Sequence, residues 1–257
     1  MNLSPHPHPF ISQWPQIAKI DGWLDRESAA LMDGLIAGQD ELGLPGRGIL
    51  EIGVWRGRSA TLLARHLRES EDLLLVDAWL QQQEIVKSLS SVMGNRLQQH
   101  PINLFQGTAR ELSSTLPKDK RFRYIHIDGD HTGAGLRTDL LLAQQVMEPT
   151  GLIVLDDIFN YLYPQLIREM FLFLAQEGRD LACILIGFNK ACLCRTASLD
   201  MYGDWIFNRI NDVMLQRGVP VTLCRTTNRV EWPGYSLVAD IGMPRRGLDG
   251  KNDYIRP

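Results

Sequence analysis

From residue 48 onward, short runs of aliphatic and β-branched residues alternate with helix-length amphipathic segments, and this period restricts the fold more than any other feature of the chain. The apolar runs fall at 48–53, 73–77, 102–106, 123–128 and 151–156. Segments of helical pattern lie at 59–69, 84–99, 109–115, 133–148 and 163–177. Strands regularly separated by helices are the pattern of consecutive βαβ units, which build a parallel sheet covered by helices. In such a sheet the carboxyl ends of the strands form the ligand crevice. The runs reach Gly53, Asp77, Asp128 and Asp156, so polar chemistry is expected to gather there.

The texture changes after the fifth run. Residues 181–187 and 191–195 are two β runs separated by Phe188, Asn189 and Lys190, short enough for a hairpin. The expected architecture is therefore an α/β sheet of five parallel strands closed by an antiparallel hairpin. A helical segment at 198–217 and β runs at 221–224 and 235–239 predict an ordered α/β extension. Before the sheet, residues 11–39 read as mainly helical, with Trp14, Ile17, Trp23, Leu24, Leu31 and Leu35 as apolar anchors, and 43–48 (GLPGRG) as a linker. The organisation predicted is an N-terminal arm with cap helices (1–45), a ligand-binding α/β domain (46–197) and a C-terminal extension packed on the same domain (198–257).

Composition excludes several classes of function. With 257 residues, 44% hydrophobic and 22% charged, the chain can bury a sizeable core. Lys and Arg total 27 against 30 for Asp and Glu, and a net charge of -3 gives no electrostatic case for nucleic acid or an anionic membrane. Apolar runs such as 171–175 and 184–186 fall far short of the roughly 20 residues that span a bilayer. Residues 1–10 (MNLSPHPHPF) lack the basic and apolar segments of a secretory signal and read as a mobile arm, with His6 and His8 solvated. Cys183, Cys192, Cys194 and Cys224 have neither CxxC spacing nor the density of a disulfide scaffold, so they are expected to be reduced thiols of a cytoplasmic protein.

The first strand and its loop read ILEIGVWRGRSATLLARHL (49–67), with Glu51, then Gly53 and Gly57 four apart, then a helix beginning near Ser59. A glycine turn that opens a helix presents unpaired N–H groups and lets a ligand approach the backbone. A dinucleotide site has G-x-G-x-x-G, but Trp55 stands where its middle glycine would be, and an indole there obstructs a pyrophosphate. Glu51 suits an ammonium rather than a phosphate. Asp77, 26 residues further on, is placed to bind ribose hydroxyls, and Thr108 and Ala109 in the turn after the third strand to meet an adenine edge. The cofactor with an ammonium, a ribose and an adenine but no phosphate is S-adenosylmethionine. The plainer alternative makes Gly53 and Gly57 a tight turn and Asp77 a helix cap.

The E-x-G-x-x-x-G loop, the Asp77 strand end and the run YIHIDGDHTGAGLRTDLLLAQQVMEPTGLIVLDDI (124–158) resemble a class I, Rossmann-like O-methyltransferase of the methyltransferase-24 type, related to catechol-type and macrolide-sugar O-methyltransferases. The resemblance spans about residues 48–195; the flanks resemble nothing nameable. It implies a cofactor set of Glu51, Gly53, Trp55, Gly57, Ser59, Asp77, Thr108, Ala109 and Asp128.

Asp128, Asp156 and Asp157 end neighbouring strands, and three carboxylates together repel unless a cation or protons intervene. Oxygen donors suit Mg²⁺, with Mn²⁺ or Ca²⁺ behind it; the alternative is pairing with Arg123 or Arg137, or helix capping. In catechol-type relatives the equivalent three positions hold the metal, with Asn at the last, so Asp157 is closer to the macrolide-sugar branch. His131 stands where those relatives carry a catalytic lysine. It is read as the general base, with metal ligand and helix cap as alternatives, and Asp128 as its catalytic partner. Trp79, Asp130, Phe159 and Tyr161 are the expected acceptor contacts, with Tyr163 beside them.

The function this implies is an adenosylmethionine-dependent, Mg²⁺-dependent O-methyltransferase acting on a small hydroxylated metabolite, a sugar unit or catechol-like phenol of a natural product. Two alternatives remain: a metal-independent methyltransferase in which His131 or Asp130 acts directly, and a non-catalytic module that has kept the fold. A homo-oligomer is left open.

Overall fold

The computed structural model describes residues 9–225, 234–239 and 255–256. Residues 1–8, with His6 and His8, lie outside the described residues, as do parts of the C-terminal extension. The sheet elements in the first half are β1 (Ile49–Ile52), β2 (Leu73–Asp77), β3 (Ile102–Gln106), β4 (Phe122–Ile127) and β5 (Met147–Leu155). The helices that alternate with them are α3 (Arg58–Ala64), α4 (Gln82–Met93), α5 (Ala109–Thr115), α6 (Gly133–Val146) and α7 (Pro164–Gln176), preceded by α1 (Phe10–Ile17) and α2 (Arg26–Glu41). The hairpin is β6 (Leu181–Gly187) and β7 (Lys190–Arg195), and α8 (Leu199–Gln216), β8 (Val221–Arg225), β9 (Tyr235–Ala239) and β10 (Ile255–Arg256) follow.

The ten strands found among the described residues form one sheet, in the order β10-β8-β9-β6-β7-β5-β4-β1-β2-β3. β3, β2, β1, β4 and β5 run parallel, and β7 pairs antiparallel with β5. The hairpin lies where the pattern predicted, and the sheet continues past it because β9 pairs parallel with β6 and then carries β8. Among the described residues no helix is long and apolar enough to cross a membrane.

β1, β2, β4 and the second half of β5 are buried on both faces, which explains the apolar runs there, whereas the edge strand β3 is only partly covered. Ile49, Leu73, Leu75, Tyr124, Leu152 and Val154 face a layer built from α1, α2, α3, α4 and α8. Leu50, Leu74, Val76, Ile125, Ile153 and Leu155 face α5, α6 and α7. Helix boundaries follow local chemistry. Asp25 and Thr132 cap α2 and α6 by accepting from the N–H of Ser28 and Gly135, and Thr108 with Glu111 makes a full capping box on α5. The helical pattern at 84–99 breaks at Gly94, in a left-handed conformation (φ 53°), beyond which the chain winds as 3-10 helix.

Two arginines that the sequence offered as partners for the strand-end acids are used elsewhere. Arg123 is buried and donates from Nε to Glu71 at 2.6 Å, and Arg137 pairs with Glu169 at 2.8 Å. The charges at the strand ends must therefore be balanced by other groups.

Candidate active site

The carboxyl ends of β1, β2, β4 and β5 open into one cavity of about 1200 Å³. It is walled by the β1–α3 loop, the turn after β3, one side of α6, the β5–α7 loop and the 21–25 strap between α1 and α2.

At one end stands the glycine loop. Gly53 has φ 86° and packs against the end of β4 so closely that a Cβ there would lie 1.8 Å from the carbonyl oxygen of Asp128. Gly57, also at φ 86°, forms the left-handed N-cap of α3. Trp55 bulges out between them at φ 49°. Asp77 braces the loop: Oδ2 accepts from the N–H of Val54 (2.8 Å) and Trp55 (3.0 Å), and Oδ1 from the N–H of Trp79 (2.7 Å). Each carboxylate oxygen can accept more than one hydrogen bond, so this role and ribose binding are compatible. Ser59, Thr108 and Ala109 line the same end of the cavity, although the Thr108 hydroxyl is engaged with Glu111.

Glu51 does not meet the expectation of a cofactor ligand. Strand alternation puts it on the same face as Ile49, fully buried, with Oε1 2.8 Å from Nδ1 of His126 on the neighbouring strand, and it is not part of the cavity wall. Gly57 likewise shapes the helix start and does not line the cavity.

At the other end are the acids. Asp128, His131 and Asp157 each direct one donor atom to a common point, with all three atoms within 4.8 Å of one another. His131 Nε2 lies 2.9 Å from Asp157 Oδ2 and 3.7 Å from Asp128 Oδ1. The ring is fixed by Tyr163, stacked at 4.2 Å, and by Gln165, which donates to the His131 carbonyl. Asp157 sits in a left-handed conformation (φ 56°), and its Oδ1 accepts from Asn160 (3.0 Å) and Asn189 (2.5 Å). The carboxylates of Asp128 and Asp157, the second within hydrogen-bond distance, push the imidazole pKa up to about 10, so in this arrangement His131 is a cation at neutral pH. Burial and the neighbouring Asp156 raise Asp128 to about 6.

Asp156 departs from the expected ligand set. Its Oδ1 lies 2.5 Å from the buried Lys190 ammonium and its Oδ2 3.7 Å from His126. Burial alone would raise its pKa, but Lys190 and His126 hold it well below the ordinary carboxylate range. Asp156 and Glu51 together carry His126 to about 9 against the cost of its burial. Lys190 escaped sequence reasoning because the hairpin turn is one residue shorter than expected. Phe188 and Asn189 both take positive φ (51° and 63°), as a two-residue primed turn requires, so Lys190 opens β7 and points inward.

The acceptor contacts are partly redistributed. Trp79 and Asp130 line the cavity, but Phe159 and Tyr161 do not; they are exposed on the outer side of the loop, and Asn160, Leu162 and Tyr163 take the wall positions. Asp130 also ties the start of α6 through Thr132. The strap adds Trp23, whose ring lies 5.6 Å from that of Trp55, and is held by Arg58, which donates to the carbonyls of Ala18, Ile20 and Leu24.

With this geometry in place, the chain can be set beside known proteins. Residues 50–158 match the family model described as Methyltransferase domain (methyltransferase-24). No curated protein matches the chain significantly. Among solved structures, the O-methyltransferase from Bacillus cereus in complex with SAH superposes with TM-score 0.51 at 18% identity, over 75% of this chain and 92% of that one. The O-methyltransferase NovP gives 0.51 at 15%, over 66% and 80%. CalS11, a TDP-rhamnose 3'-O-methyltransferase of calicheamicin biosynthesis, gives 0.50 at 17%, over 65% and 78%. At these identities the likeness establishes the fold.

Proposed function

Because residues 50–158 are a methyltransferase domain of the methyltransferase-24 family, we propose that the enzyme transfers the methyl group of S-adenosylmethionine to a hydroxyl of a small metabolite, a sugar unit or a catechol-like phenol. The observation that carries this reading is the single cavity joining the Gly53–Asp77 end to the Asp128–His131–Asp157 end. Its volume accommodates a cofactor and an acceptor side by side, since sites for one small ligand span roughly 300–1,000 Å³. A solved relative of the same fold acts on a nucleotide-linked sugar, which supports the sugar class.

Methyl transfer is an in-line displacement whose rate depends on alignment. The strap and the β5–α7 loop provide the walls that exclude water and orient the acceptor. Two carboxylate oxygens and one imidazole nitrogen within 4.8 Å fit a divalent cation, so Asp128, His131 and Asp157 would hold it, with Asp156 held back by Lys190. When bound, such a cation supplies Lewis acidity that lowers the pKa of the acceptor hydroxyl. Tyr163, stacked on the imidazole, restrains the ring beside the two acids.

A second, metal-independent reading is favoured by the His131–Asp157 ion pair, which already balances charge at the site. There His131 holds its proton and orients the acceptor oxygen, while Asp128 takes the acceptor proton. Stripping the protein with a chelator decides between them. Turnover of an acceptor found by mass-spectrometric screening of polyols and phenols should vanish and return with Mg²⁺ or Mn²⁺, while SAH binding persists. Normal turnover by stripped protein would remove the cation and leave the second reading.

A further inference from the structure

Asp139 is a carboxyl group with no role in the fold. It lies on the buried stripe of α6 with Leu136, Leu140 and Ala143, is only 6% exposed, and lines the cavity. Among the described residues no hydrogen bond or ion pair to its side chain is found. Burying a carboxyl without a partner is costly, and nothing in the helix requires one there. The surroundings are shaped to admit it: Gly129 has no side chain where a Cβ would come 2.7 Å from Asp139 Oδ2.

Its position within the cavity indicates what it meets. α5 and α6 run side by side, with Ser113 donating to Gln145 at 3.3 Å. Toward their N-termini, Thr108 and Ala109 of α5 and Thr138 and Asp139 of α6 all line the cavity, and Asp139 Oδ2 lies beside Gly129, just past the end of β4. Asp77 ends β2 and Gly129 follows β4, with β1 between them, a separation of about 10 Å at the usual strand spacing, so the base of a ribose held at Asp77 can reach this wall. Of the charged groups that line the cavity near these elements, Asp128 and Asp130 come from the β4–α6 connection and Arg110 from α5, and Asp130 is the one whose charge acts on Asp139.

We propose that Asp139 reads the Watson–Crick edge of the cofactor's adenine, accepting from the 6-amino group and donating from its protonated oxygen to N1. The inference rests on the adenosylmethionine reading above and assigns one residue to base recognition within it. Adenine presents a donor beside an acceptor, and a neutral carboxylic acid presents the complementary pair. Burial, with the negative charge of Asp130 adding to it, raises the Asp139 pKa to about 7, so the acid form is available at physiological pH. An ionised carboxylate would keep one bond and set a lone pair against N1.

Calorimetry on the full chain tests this, using SAH and the analogue whose purine lacks the 6-amino group. At pH 6 the wild type should bind SAH at least about tenfold more tightly than the analogue, one hydrogen bond being worth roughly that factor. Its SAH affinity should fall about tenfold between pH 6 and pH 9. Asp139→Asn, whose carboxamide offers the same donor and acceptor, should bind SAH about as tightly at both pH values, whereas Asp139→Leu should bind weakly at both. If the Asn variant keeps the pH dependence, or the wild type binds both ligands equally, the assignment is overturned. Failure of the folded wild type to bind SAH at all would instead overturn the cofactor reading.

Discussion

The two ends of the cavity are built by different physics. At the glycine-loop end, backbone conformation is decisive: Gly53 and Gly57 supply positive φ, and Asp77 ties three backbone N–H groups. At the acidic end, side chains from distant segments balance one another. Asp157 pairs with His131 at 2.9 Å, Asp156 with Lys190 at 2.5 Å and Glu51 with His126 at 2.8 Å. The first end therefore depends on which residues can adopt the loop's conformation, and the second on how charge is shared. Substitutions at the first should act through geometry and those at the second through electrostatics.

The largest effect is expected where geometry leaves no room. Gly53→Ala would force a methyl group to within 1.8 Å of the Asp128 carbonyl in a left-handed conformation, so β1 and β4 would have to separate. A loss of roughly 3 kcal/mol or more of stability is expected, together with loss of SAH binding, checked by thermal denaturation and calorimetry. Normal SAH affinity in this variant would show that the loop does not form the cofactor site.

A charge-end substitution should separate cleanly from that result. His131→Ala removes the group lying between Asp128 and Asp157, and should lower turnover by roughly 10² to 10⁴. The glycine loop is untouched, so SAH affinity should stay within about threefold of the wild type. Steady-state kinetics beside calorimetry reads both quantities. Equal losses in turnover and in SAH affinity would mean that the two ends are a single unit and would break the comparison.

The same difference explains what was legible in the sequence. The central parallel strands and the hairpin strands were readable because burial on both faces leaves apolar runs; edge strand β3, only partly covered, was readable from its place in the alternation of strand and helix. Asp77, Asp128 and Asp157 were readable because they stand at strand ends. Glu51 was misassigned although its signal was present: a period of two from Ile49 puts it on the sheet face that carries Tyr124 and Val154, two residues before the loop begins. Lys190 depended on turn length, and a difference of one residue moves a hairpin side chain from a loop into the core. Phe159 and Tyr161 were expected at the acceptor and neither lines the cavity, whereas Tyr163 does; which aromatic faces inward is set by the irregular path of the β5–α7 loop, which has no period to read. Asp139 was overlooked although it is a lone acid on an otherwise apolar helical stripe.

The smallest effect expected is also of opposite sign, and it concerns Asp139, which lies between the two ends. Its folded pKa of about 7 stands above the ordinary 3.8, so the unfolded chain loses this proton more readily than the folded one. Stability is therefore lost as pH rises from about 3.8 toward 7, and the whole cost is present above about 7. Asp139→Asn removes the titration while keeping shape and hydrogen-bonding capacity. It should raise stability by roughly 1–3 kcal/mol at pH 8, by less at pH 5 and by almost nothing near pH 3, measured by denaturant unfolding without ligand. A residue that costs stability at neutral pH and can be improved by one isosteric change is what a ligand-directed group should look like, since binding sites are tuned for their ligands rather than for the empty fold. A destabilised Asn variant at pH 8 would instead show that the carboxylate is held by the protein itself, and would place Asp139 with the paired acids of the charge end.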